Sequence, residues 1–90
     1  MKIIFKYPLM QVPEEQISLP VGAEILTVQT QGEQPCIWAM IDLNEIRYKN
    51  VTIETFGTGH KMDDAERRYI GTYQINNGDY VFHVFERLDI

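Results

Sequence analysis

The segment Arg68-Tyr69-Ile70-Gly71-Thr72-Tyr73-Gln74-Ile75-Asn76-Asn77-Gly78-Asp79-Tyr80-Val81-Phe82-His83-Val84-Phe85-Glu86-Arg87 decides how this chain is read. Two runs rich in aromatic and β-branched residues flank Asn77-Gly78. Asn-Gly is the strongest short-range hairpin signal, because a type I′ turn needs positive φ at both central residues. With that pair as the loop, Asn76 faces Asp79. Counting outward then pairs Ile75 with Tyr80, Tyr73 with Phe82 and Gly71 with Val84 on one face. The other face carries Gln74 with Val81, Thr72 with His83 and Ile70 with Phe85. Both faces are largely apolar, which predicts a central hairpin covered on both sides. His83, between Val81 and Phe85, reads as a half-buried histidine satisfied by the Thr72 hydroxyl; the alternative is a ligand or interface contact.

Working outward, the same composition recurs at intervals of about ten residues, with turn signals between, as expected for an all-β sandwich or small barrel. Seven strands are predicted: Ile3–Tyr7, Gln16–Leu19, Glu24–Gln31, Cys36–Leu43, Ile46–Phe56, Arg68–Ile75 and Tyr80–Arg87. They should be mostly antiparallel, in a small sandwich or partly open barrel. Gln31-Gly32-Glu33-Gln34-Pro35 reads as a loose hairpin loop, and Leu43-Asn44-Glu45 as a further turn. Pro8, Pro13 and Pro20 place the first strands at sheet edges, where a missing N–H is tolerated. The one helical signal allows at most one short helical turn near residues 63–68, where Asp63 could cap and Glu66 complete a capping box. In the fourth strand Ile37, Ala39 and Ile41 point one way, and Cys36, Trp38 and Met40 the other. Two apolar faces are hard to cover within so short a chain, so a homo-oligomer is expected.

Ninety residues make one domain, taken as 1–90. The net charge of −5 argues against a nucleic-acid polymer as partner, since such binders are usually basic. The single cysteine, Cys36, excludes an internal disulfide and any multi-cysteine metal site, and reads as a small buried hydrophobe. The longest apolar run, Cys36 to Ile41, is six residues, against roughly 20 for a membrane span. Lys6 and Pro8 interrupt the apolar start, so no signal peptide is read, and the expected location is the cytoplasm.

Gly57-Thr58-Gly59-His60 is the most conspicuous motif. Its glycines allow a bend whose N–H groups could converge on an anion, and His60 adds a donor. It lacks the Walker spacing and the third glycine of a dinucleotide fingerprint, so a plain glycine-rich loop leaving a strand is the competing reading. Arg67 and Arg68 are the only dense cationic pair, and Trp38 offers a stacking surface; core packing is the bland alternative for Trp38 and the other aromatics. His60, Asp63 and Asp64 have no second histidine nearby in sequence, so no metal site is called. No cofactor is called either. With Ser18 the only serine and no carboxylate pair singled out, the chain is not read as an enzyme.

The chain resembles, nearly end to end, a family of small proteins encoded by tailed bacteriophages and prophages. The resemblance is carried by Lys6-Tyr7-Pro8-Leu9, by Pro20 to Leu26 leading to Val28-Gln29, and by Pro35-Cys36-Ile37-Trp38-Ala39. It continues in Gly57-Thr58-Gly59-His60, Tyr69-Ile70-Gly71-Thr72 and Val81 to Glu86. The chain departs from the family in a shorter Asp42–Lys49 connection. The resemblance implies an accessory phage product in the host cell cytoplasm and brings no activity. The expected role is binding of a small ligand, such as a host signalling nucleotide in an anti-defence setting. Gly57, Thr58, Gly59 and His60 would meet a phosphate, Arg67 or Arg68 would supply charge, and Trp38 would stack. The alternative is a protein-interaction module acting on a host or virion protein through a strand edge or apolar patch.

Overall fold

The strands form where the β-branched and aromatic runs lie: β1 (Lys2–Pro8), β2 (Glu14–Pro20), β3 (Glu24–Gln31), β4 (Gln34–Asp42), β5 (Tyr48–Gly57), β6 (Arg67–Ile75) and β7 (Tyr80–Arg87). These come from a computed structural model that describes residues 1–89. Every ladder is antiparallel. The strands make two sheets, one ordered β1-β4-β3 and the other β2-β5-β7-β6. The all-β expectation holds, and the proline-flanked β1 and β2 are indeed edge strands.

Alternation along each strand puts one face into the core. Ile37 and Ala39 of β4 are 0% exposed, as is Val84 of β7. With Ile17, Leu19, Val28, Val51, Ile53 and Tyr73 they fill the space between the sheets. Cys36 is buried and free, as its apolar setting suggested. At one side β3 lies against β6, where Gly71 makes room: a Cβ there would sit 2.9 Å from Val28 Cγ1. No ladder joins these two strands, so the sheets do not close into a barrel.

The hairpin register follows the sequence count from Ile75–Tyr80 through Gly71–Val84. Beyond Gly71 a bulge intervenes, and Tyr69 rather than Ile70 meets Phe85. The turn has φ of 57° at Asn77 and 86° at Gly78, as type I′ geometry requires, and Asp79 N–H donates to the Asn76 carbonyl at 3.0 Å. Asn76 N–H in turn donates to Glu33 Oε1 at 2.7 Å, tying this turn to the one between β3 and β4. Gly78→Val would force a β-branched residue to positive φ, so we expect it to lower stability by about 1–3 kcal/mol. A thermal melt unchanged from wild type would contradict the register.

Two expectations are corrected, and the bound on helix content is met. The hairpin is not central and covered on both sides: β7 is interior, but β6 is an edge. Two sheets supply only two layers, so the outer face is left to shield itself. Phe85 packs edge-on against Phe56 and Tyr69, at centroid distances of 6.0 and 5.4 Å. Near residues 63–68, where at most one short helical turn is expected, the described residues hold no helix, which lies within that bound. Asp63 Oδ1 does accept Ala65 N–H at 3.0 Å. The Asp63 and Ala65 carbonyls, however, accept from the Arg67 guanidinium at 3.0 and 3.3 Å, and the Glu66 carbonyl accepts Leu88 N–H at 2.9 Å. The acceptors a helical turn would use are therefore occupied, and Arg67 already begins β6. The second correction is the loop at Gln31–Pro35, which is tight, because only Gly32 and Glu33 lie between the strands.

Candidate functional site

Strand β5 delivers Gly57 opposite Phe82. The chain then reverses, with His60 N–H donating to the Gly57 carbonyl at 3.1 Å and Thr58 N–H to the Val81 carbonyl at 3.4 Å. Gly59 takes φ of +86°, which glycine adopts readily. Two of the loop's amides are thus spent on the turn itself and do not converge on an anion.

The Thr58 hydroxyl is also engaged. It lies 2.7 Å from His83 Nε2, while His83 Nδ1 lies 2.9 Å from Thr72 Oγ1. Thr72 Oγ1 in turn meets Tyr69 Oη at 2.5 Å. This row runs from the turn after β5 across β7 and β6 on the outer face. A neutral imidazole donates from one nitrogen and accepts at the other, and a hydroxyl can answer either. His83 therefore staples the loop to the sheet, with the Thr72 partner expected from the hairpin register.

His60 has a different role. A Cβ on Gly57 would fall 2.8 Å from His60 Cε1, so the imidazole lies against the bare glycine. There it separates two open depressions. One, of about 380 Å³, is walled by Val12, Pro13, Tyr73, Ile75, Tyr80 and Phe82 together with His60. The other, of about 480 Å³, runs past Thr58, Asp79 and Val81. Tyr73 and Phe82 stand with ring centroids 5.5 Å apart at the floor of the first. Burial, and next the nearby Glu15 carboxylate, push the Tyr73 phenol up, so it stays a neutral hydroxyl.

The other residues read as site candidates lie elsewhere. Arg67 Nε is 2.6 Å from Glu54 Oε1 and an Nη is 2.7 Å from Asp63 Oδ1, with the guanidinium 5.0 Å above the Phe56 ring. Arg87 joins Glu54 at 3.4 Å. Glu54 is only 6% exposed, so these arginines neutralise a buried carboxylate and are not free for a ligand. The Ala65 N–H, then Arg67, hold the Asp63 carboxyl below the usual carboxylate range. Arg68 pairs with Glu86 at 3.6 Å and lines a separate groove of about 490 Å³ beside Lys49 and Glu24. Trp38 sits on β4 of the other sheet, its indole N–H donating to the Gln29 carbonyl at 3.4 Å. Of the seven candidates, the structure brings together Gly57, Thr58, Gly59 and His60, and separates Arg67, Arg68 and Trp38 from them.

Sequence reasoning missed the cleft's walls. Tyr73, Tyr80 and Phe82 were visible as aromatics and assigned to the core. The hairpin pairing of Tyr73 with Phe82, one step from Ile75–Tyr80, was the signal that could have grouped them. The Val12–Pro13 wall had none, because it depends on where the β1–β2 connection crosses.

Among the described residues no group of three or more His, Cys, Asp or Glu is placed to hold a metal ion. Among the described residues no helix is long and apolar enough to cross a membrane. A family model described as Domain of unknown function (DUF7352) matches residues 1–89. No curated protein and no solved structure matches the chain.

Proposed function

We propose that this chain, which belongs to the family described as Domain of unknown function (DUF7352), is a non-enzymatic binding module for a small planar ligand. The observation that carries the reading is the cleft of about 380 Å³ walled by Tyr73, Tyr80, Phe82 and His60. Concave sites lined by aromatic and apolar groups, with few polar ones, are where small molecules bind. A flat heterocycle fits between such rings, and base–aromatic stacking contributes about 1–3 kcal/mol per base. The neutral Tyr73 hydroxyl and the His60 ring nitrogens supply the few directional contacts. Neither Arg67 nor Arg68 reaches the cleft, so a nucleotide would be held by its base, with its phosphates toward solvent. In a bacteriophage accessory protein acting in the host cytoplasm, the ligand class is a signalling nucleotide withheld from host defence.

Calorimetric titration with matched nucleosides and nucleotides tests this. Nucleosides should bind within about tenfold of their cyclic and linear nucleotides, since phosphate contacts contribute little. Binding that needs the phosphates, or no binding by any member, would refute base recognition in this cleft. A second reading, an interaction module, is favoured by one observation: the outer edge of β1 carries no neighbour among the described residues.

A further inference from the structure

That open edge defines its own partner. We propose that β1 pairs antiparallel with β1 of a second copy of this chain, joining two three-stranded sheets into one of six strands. The inference is independent of the ligand cleft, which lies beside the other sheet.

Hydrogen-bond parity fixes which groups are free. Leu43 N–H donates to the Met1 carbonyl at 3.0 Å, and Leu9 N–H to the Pro35 carbonyl at 2.9 Å. Antiparallel partners exchange bonds at alternate positions. In the Ile3–Ile41, Phe5–Ala39 and Tyr7–Ile37 register, the odd residues of β1 therefore face β4. The N–H and carbonyl groups of Lys2, Ile4 and Lys6 point outward, with nothing among the described residues paired to them.

The other edges are guarded. Strand β3 lies against β6, with the Val28 backbone N and O 3.6 Å from where a Gly71 Cβ would be. Strand β6 carries a bulge at Tyr69–Gly71, and β2 opens with Glu14-Glu15, which would repel a copy of itself. Lysines are the usual guards of an edge. In β1, however, the Lys6 ammonium is drawn back across the sheet to Gln31 Oε1. Apart from Lys2 at the strand's start, what remains at the edge is apolar: Ile4 is 61% and Phe5 50% exposed.

Self-pairing has one favoured register. Free groups must meet free groups, so even residues pair with even residues. Setting Ile4 opposite Ile4 would put Lys2 opposite Lys6, a like-charge pair. Setting Phe5 opposite Phe5 puts Ile4 opposite Lys6, Ile3 opposite Tyr7 and Lys2 opposite Pro8. Ile4 N–H then donates to the Lys6 carbonyl of the second copy, and Lys6 N–H to its Ile4 carbonyl. The two Phe5 rings meet at a non-hydrogen-bonded position, where side chains approach most closely.

This register is testable by cross-linking. Phe5→Cys would set two Cα atoms about 4.5 Å apart, within disulfide reach. Ile3→Cys would set them about 14 Å apart, four residues of strand away. Wild type should sediment at twice the monomer mass at tens of micromolar. Mild oxidation should convert Phe5→Cys to a covalent dimer and leave Ile3→Cys uncross-linked. Ile4→Pro removes an outward N–H that no intrachain bond uses, and should sediment as a folded monomer. A wild-type monomer at hundreds of micromolar overturns the proposal. So does cross-linking of Ile3→Cys as complete as that of Phe5→Cys, or an Ile3→Cys and Phe5→Cys pair that both stay uncross-linked.

Discussion

Ile37→Ala should destabilise the protein by about 2–5 kcal/mol, more than any other single truncation considered. Ile37 is 0% exposed and belongs to the cluster that both sheets share, with Val28, Val51, Ile53 and Val84 around it. It sits on β4, the only strand of its sheet with a neighbour on each side, so the cavity left by truncation has little freedom to collapse. A domain of this size holds a stability on the order of 5–10 kcal/mol. The loss would therefore shift the melting temperature by on the order of 10 °C or more. Ile46→Ala is the contrast: at 87% exposed, its change should stay within about 0.5 kcal/mol. Equal melts for the two variants would show that the sandwich core is not where the structure places it.

The second large effect is expected at Gly57. Valine is at home in a strand, and Gly57 has no positive φ to strain it. Its Cβ would nonetheless lie 2.8 Å from the His60 ring. The histidine is an exposed side chain on a turn, so it swings out at small cost. The cleft then loses one wall and gains a branched side chain. Ligand affinity should fall at least about tenfold, the loss of one stacking contact, while the melting temperature moves by only a few degrees. If Gly57→Val instead melts as early as Ile37→Ala and binds ligand normally, the contact between glycine and histidine is packing alone.

How much of this was legible in the sequence follows from the range of the interactions involved. Asn77-Gly78 prescribes a local geometry, so the register out to Gly71–Val84 could be counted. It failed at Ile70 because the bulge answers a distant demand, the approach of Val28 to Gly71 across the sheets. The pairing of His83 with Thr72 was readable for the same local reason; its second partner, Thr58, lies twenty-five residues away in the turn after β5. Arg67 looked free because its acidic neighbours in sequence suggested a solvated helical turn. Its main partner is Glu54, a buried carboxylate on β5 that only the tertiary fold brings near. Likewise Trp38 and the glycine loop could be listed together, but not shown to lie on different sheets. Edge positions for β1 and β2 were readable because proline's missing N–H is a backbone fact.

Recognition of a flat ring by the cleft beside His60 can be read by mapping amide chemical shifts of the labelled protein during titration with a nucleoside. Perturbations should saturate and cluster at Gly57, Gly59, His60, Tyr80 and Phe82, and should vanish in Gly57→Val. Perturbations gathered instead around Lys49 and Arg68 in the polar groove, or none at millimolar nucleoside, would contradict it.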